Sequence, residues 1–238
     1  MIATQWEALT APVTGVADAQ RLLAEFDRVL LTGLGRMDDA QAAAVSALGA
    51  AVGGSPLADA VAEAVDKVRA GAVSPEQLVA LAAARAAVSG AVHDALLHHC
   101  DTALGRSRTA AVPPAAAGSA PPAAVGARAW LTELAITGWN GVGDDLLAAA
   151  DRTVESLLEE PELRRTAVLV DGFAAELAAL APVSTQPWAP VRRWADLWSR
   201  ALLSTWRTTE SGAQGTVSGR LVLLGTEIHE HGLSLIHI

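Results

Sequence analysis

The sequence predicts a mainly α-helical protein with two helical bundles, a Pro/Ala-rich linker between them, and the start of a truncated β-rich region at the C-terminus. The 238 residues include 52 Ala and 31 Leu but no Tyr, a composition typical of helices. Long stretches repeat apolar residues every third or fourth position, as one face of a helix does. Proline, glycine and acidic residues stand where such helices would begin or end.

The first predicted bundle covers residues 1–104 and contains four helices joined by short turns, which favours antiparallel neighbours. Each helix has its own start or stop signal. The first spans 18–33 and ends at glycine; the second follows a cap at Asp38 or Asp39; the third opens at Ser55 and Pro56; the fourth opens with the capping box 74–77 and runs to about Leu104.

The predicted linker covers residues 105–127, where four prolines stand among Ala, Gly and Ser with little apolar bulk to pack. The second predicted bundle covers residues 128–210. Its helices are expected at 128–137, at 146–159 after a cap at Asp144 or Asp145, at 161–180, and from Pro190 onward.

The C-terminal part has a different pattern. Residues 216–224 are rich in β-forming side chains, and Gly225 and Thr226 can turn the chain into a second strand, so we expect a hairpin region over 211–232. Residues 233–238 match one translated frame of a transposon end used in sequencing libraries, and we expect them to be an adapter artefact. The natural chain is then expected to continue after Gly232.

Two short apolar runs, 28–35 and 166–172, allow a strand as well as a helix. Helix is the favoured interpretation, because both runs lie within longer stretches of 3.6-residue periodicity. The glycines after the first run, Gly33 and Gly35, begin like a dinucleotide fingerprint. However, Asp38 occupies the third glycine position, where a carboxylate would repel phosphate, so we interpret Gly33 as the end of a helix.

Charge and composition exclude several classes of function. The net charge is -9 and the one basic stretch lies in the predicted linker, so we expect no nucleic-acid binding. The longest apolar tract, 78–97, contains Arg85, His93 and Asp94, which favours a buried helix over a membrane span. With a single cysteine and no basic start followed by an apolar run, the chain is expected in the cytoplasm.

Two groups of residues could bind a metal. His93, His98, His99 and Cys100 are close in sequence, but no two of the histidines are spaced to share a helix face, so we favour a polar helix edge over a zinc site. Glu227, His229 and His231 would share one face of a strand, which suits a divalent transition metal. The alternative for these three is a solvated strand face.

Seven tryptophans are the other unusual feature, and five of them follow residue 138. We expect them to fill the core of the second bundle or its contact with the β-rich region. A tryptophan stripe on a binding face is the alternative.

Three stretches carry a resemblance: residues 6–10 (WEALT), 30–37 (LLTGLGRM) and 225–231 (GTEIHEH). In these stretches the chain resembles uncharacterised actinobacterial proteins encoded beside MoxR-type AAA+ ATPases, von Willebrand A-domain proteins and SWIM zinc-finger proteins. The resemblance implies a role as partner or adaptor in an ATPase-driven assembly, and it carries over no catalytic residue.

We therefore expect a non-enzymatic helical scaffold or adaptor for protein partners, with no cofactor and no catalytic residue. The expected partner, on the resemblance, is a MoxR-type AAA+ ATPase. The alternative is an enzyme or metal-binding protein whose site lies in the truncated β region, with Glu227, His229 and His231 as its first residues.

Overall fold

The computed structural model describes residues 2–106, 121–179 and 190–206. Within these residues the chain is almost entirely helical and contains no strand. The α-helices are α1 (Ile2–Thr10), α2 (Val16–Thr32), α3 (Asp39–Ala51), α4 (Ala58–Arg69), α5 (Pro75–Ala103), α6 (Pro122–Thr137), α7 (Asp144–Leu158), α8 (Arg164–Ala178) and α9 (Val191–Trp206).

The helices pack in two similar groups. Along the chain from α2 to α5 each helix contacts the next, and α2 also contacts α5; the same holds from α6 to α9, where α6 contacts α9. In addition α9 contacts α2 and α5, and one continuous core contains residues of both groups. Because one core extends through both groups, the predicted separation into two bundles stays a prediction.

The mainly helical class is confirmed for the described residues. The first ambiguous apolar run is helical as far as Thr32, where α2 ends, and the second lies entirely within α8. The predicted linker is wrong at its C-terminal end, because α6 begins at Pro122. Proline suits a first helical turn, and Ala124 and Ala127 are completely buried there. The predicted β region 211–232 and residues 233–238 lie outside the described residues.

Capping explains several of the helix starts. Asp38 and Gln41 form the reciprocal capping box of α3, in which each side chain accepts a hydrogen bond from the other's backbone N–H, at 2.8 and 2.7 Å. The predicted cap at Ser55 is wrong, because α4 begins at Ala58. The Ser55 hydroxyl instead accepts from the backbone N–H of Leu57 at 3.2 Å within the preceding turn.

The acidic pair before α7 also departs from its predicted role. The N-cap is Gly143, so Asp144 and Asp145 both stand in the first turn. There their carboxylates favour the helix through its dipole rather than through a cap hydrogen bond.

Two glycines bring the backbones of the two groups into contact. Gly33 ends α2 and Gly138 ends α6, with φ angles of 95° and 83° that suit glycine. A Cβ on Gly138 would lie 2.4 Å from the backbone carbon of Thr32, and one on Gly33 would lie 2.6 Å from the carbonyl oxygen of Ile136. Only glycine fits at this crossing.

The end of α6 also receives hydrogen bonds from the other group. The backbone N–H of Leu34 donates to the carbonyl oxygen of Ala135 at 2.8 Å, and the N–H of Gly35 donates to the carbonyl oxygen of Ile136 at 3.1 Å. Both acceptors belong to the last turn of α6, whose carbonyls have no partner inside the helix. This junction ties the two helix ends together through main-chain atoms.

The two groups also have the same pattern of buried and exposed positions along the chain. Residues 26–35 and 131–140, which lie 105 positions apart, are buried, half-buried or exposed in the same order at every position. The pairs at this spacing that are identical in sequence include Thr32/Thr137, Gly33/Gly138, Asp39/Asp144 and Pro56/Pro161. We call such paired residues equivalent.

The fourth helices of the two groups correspond at a spacing of 117 positions. At this spacing six buried residues of α5 correspond to six buried residues of α9. The pairs are Leu78/Ala195, Leu81/Trp198, Ala82/Ser199, Ala84/Ala201, Arg85/Leu202 and Val88/Thr205. The two groups are therefore repeats in burial pattern, although few residues are identical.

In the described part of the chain, one helix, α5, is long and apolar enough to cross a membrane by length and composition. In this fold α5 packs against α2, α3, α4 and α9. It also carries the buried guanidinium of Arg85.

Candidate functional site between α5 and α9

A buried ion-pair network joins the two groups at Arg85. The Nε and Nη2 atoms of Arg85 donate to the two carboxylate oxygens of Asp27 in α2, at 2.6 and 3.1 Å. Its Nη1 donates to Asp196 in α9 at 2.6 Å, and Nη2 also donates to the backbone carbonyl of Arg192 at 3.3 Å. Four of the five N–H groups of the guanidinium are thus used.

Burial sets the electrostatics of this network. Arg85 is 2% exposed and Asp27 is 1% exposed. Burial raises the pKa of the Asp27 carboxyl, against the opposing effect of the hydrogen bonds and charge of Arg85. Burial by itself would lower the pKa of Arg85, but the hydrogen bonds and charges of Asp27 and Asp196 outweigh it and raise that pKa. The pair therefore costs desolvation and depends on being complete.

The guanidinium forms part of the wall of a cavity of about 370 Å³ between α5 and α9. Residues 85, 89 and 93 follow one face of α5 at intervals of four, and residues 196, 199 and 203 follow one face of α9. The cavity is lined by Arg85, Ala86, Ser89, Gly90, His93, Asp196, Ser199, Arg200 and Leu203.

Several polar groups of this cleft are not satisfied by the protein. The hydroxyl of Ser199 is buried and has no hydrogen-bond partner among the described residues. Arg200 is exposed and forms no ion pair within those residues, and the side chain of Asp196 is 40% exposed. No base in the described part of the chain contacts the Ser199 hydroxyl.

The histidines predicted at the polar edge of a helix lie on the second half of α5. His93, His98 and Cys100 are exposed, and the half-buried His99 ring lies 3.4 Å from the carbonyl oxygen of Leu9 in α1. Only His93 lines the cleft. No group of three or more His, Cys, Asp or Glu suited to a metal occurs among the described residues. The predicted metal ligands Glu227, His229 and His231 lie outside them.

The structure places most of the described tryptophans in the core. Trp139 packs edge-to-face against Phe173 and Trp194, with ring centroids 5.5 and 6.1 Å apart. Trp198 is completely buried and donates to the Leu131 carbonyl at 3.0 Å. Trp6 in α1 and Trp206 in α9 differ, since they are 69% and 39% exposed.

Sequence reasoning missed the cleft. In the sequence Arg85 interrupts an apolar tract, and a lone arginine on an apolar helix face is itself the signal of a buried partner. Asp27 is the corresponding acid within α2, whereas Asp196 gives no signal because it resembles any surface acid of α9.

Comparison with models of protein families, with curated proteins and with solved structures found no match to this chain.

Proposed function

We propose that the protein is a non-enzymatic helical adaptor built from two four-helix bundles, α2–α5 and α6–α9. Support for the two bundles comes from the repeated contact order and burial pattern. Equivalent elements also meet each other, since α2 contacts α6, α5 contacts α9 and Gly33 contacts Gly138. Contact between equivalent parts is what an approximate two-fold relation produces.

The adaptor role rests on the apolar surface of the second bundle. Val125, Leu158 and Val168 are 53%, 48% and 62% exposed on α6, α7 and α8. Their equivalents in the first bundle are Gln20, Gly53 and Glu63, none of which is a large apolar residue. Exposed apolar side chains that the other repeat lacks at the equivalent positions are suited to contact with another protein.

The partner in this proposal is the MoxR-type AAA+ ATPase to which the sequence resemblance points. The location in this proposal is the cytoplasm, in keeping with the single cysteine of the chain and with the pairing of Arg85 in α5 inside the fold. The contact is expected to use the exposed faces of α6, α7 and α8.

Binding of the purified chain to a purified MoxR-type ATPase from the same locus tests the proposal by isothermal titration calorimetry. We expect saturable binding that Val168→Glu weakens at least about tenfold, a loss of about 1.4 kcal/mol. This substitution introduces the residue found at the equivalent position of the first bundle.

The matched control is Glu63→Gln at that equivalent position, which should leave binding unchanged. Absence of binding by the native chain contradicts the partner. Equal binding by native chain and Val168→Glu contradicts the surface.

A further inference from the structure

The polar residues of the α5/α9 cleft are departures from the repeat. Asp196, Ser199 and Arg200 in α9 have Val79, Ala82 and Ala83 as their equivalents in α5. In the other direction, the equivalent of Arg85 is the buried Leu202. At each of these helix positions one of the two repeats therefore has an apolar side chain. The polar side chains of the other repeat line one cavity.

Packing alone does not account for this set. A buried hydroxyl without a partner costs about 1–3 kcal/mol, and Ser199 is only 2% exposed with an unpartnered oxygen. Its equivalent Ala82 avoids that cost at an equally buried position. Breaks in local consistency of this kind are expected at sites kept for function.

The charges facing the cavity indicate the ligand. Arg85 is neutralised by Asp27 and Asp196, and it engages only one oxygen of Asp196. The second oxygen of Asp196 and the guanidinium of Arg200 remain for a ligand, because neither forms a hydrogen bond with a described residue. His93 is the remaining titratable group of the lining.

We propose that this cleft binds a small zwitterion of the α-amino acid class. Its ammonium group pairs with Asp196 and its carboxylate pairs with Arg200, while the hydroxyls of Ser89 and Ser199 meet its remaining polar atoms. The cavity of about 370 Å³ has room for a single amino acid. This site does not depend on the proposed ATPase partner.

Calorimetric titration of the full chain with each standard L-amino acid tests the proposal. The best binder is then compared with the carboxylic acid and the amine that each lack one of its two charged groups. We expect saturable binding with a Kd near or below about 1 mM, and at least tenfold weaker binding of both single-charge analogues.

Variants assign the two contacts. Arg200→Ala and Asp196→Asn should each weaken binding at least tenfold, and Ser199→Ala several-fold. The matched control is Arg165→Ala on α8, which is also an exposed arginine changed to its equivalent residue, Ala60, but lies outside the cleft. It should bind like the native chain.

Folding of each variant is checked by circular dichroism and thermal melting before titration. The proposal is overturned if no amino acid binds saturably, or if the acid analogue binds as tightly as the zwitterion. Equal binding by Arg200→Ala and the native chain overturns it as well.

Discussion

The Arg85–Asp27 pair allows a sharp test of what a buried ion pair contributes, because the second helix group, α6–α9, holds uncharged residues at the equivalent positions. The equivalents of Asp27 and Arg85 are Thr132 and Leu202. Arg85→Leu alone removes the cation from an aspartate that is 1% exposed. Breaking such a pair costs about 3–5 kcal/mol, since one buried charge is left without a partner.

The double variant Asp27→Thr, Arg85→Leu recreates the residue pair of the second helix group. We expect it to regain part of the stability lost by Arg85→Leu, because it leaves no buried charge without a partner. Recovery is incomplete because a threonine hydroxyl at this buried position costs desolvation, as at Thr132, whose hydroxyl has no partner among the described residues. Asp196 remains solvated in both variants, as its side chain is 40% exposed. Urea unfolding followed by tryptophan fluorescence measures the three free energies of unfolding.

The pH dependence has a definite sign. Burial already raises the pKa of Asp27, and loss of the Arg85 charge in Arg85→Leu raises it further. The folded variant then holds a proton that the unfolded chain has released, so its stability falls as pH rises toward the folded pKa. The deficit of Arg85→Leu relative to the native chain should therefore shrink from pH 7 to pH 5.

Two results would refute this reasoning. If Arg85→Leu lowers the free energy of unfolding by less than about 1 kcal/mol, the ion pair behaves like a solvent-exposed one. A double variant as unstable as the single one would assign the contribution of Arg85 to packing rather than to pairing with Asp27.

Three further changes test the fold by thermal or urea unfolding. Gly138→Ala should cost at least about 2 kcal/mol through its positive φ and backbone clash. Its control Gly126→Ala, at a glycine with open space around it, should stabilise the protein by about 0.5–1 kcal/mol. Equal effects of the two substitutions would contradict the close backbone crossing. Asp38→Ala removes a capping box and should cost about 1 kcal/mol, and no loss would contradict the cap. Phe173→Ala should cost about 3–5 kcal/mol by emptying the aromatic cluster, and a loss below about 1 kcal/mol would contradict its role there.

Helix positions were readable from the sequence because their causes are local. The capping box at Asp38 and the stop at Gly33 involve atoms within a few residues, so the pattern contains the whole explanation. The start of α6 at Pro122 was missed for the opposite reason. Proline and alanine read as a linker, and only burial against other helices makes them a first turn.

The candidate site could not be predicted, because its members are far apart along the chain. Arg85 reaches Asp27 over 58 residues and Asp196 over 111 residues. Periodicity reports which face of a helix is buried but not which helices meet. The two repeats, whose comparison singles out the polar residues of the cleft, have few identical residues. They are recognised only when burial is compared position by position.

The crossing at Gly33 and Gly138 restricts how this chain can recover from mutation. The atoms nearest to an added Cβ at either glycine are backbone atoms, which every residue type carries. No side-chain substitution elsewhere can make room for it, so second-site suppressors should be scarce. In a genetic selection for rescued Gly138→Ala protein, we expect true reversion to glycine to dominate.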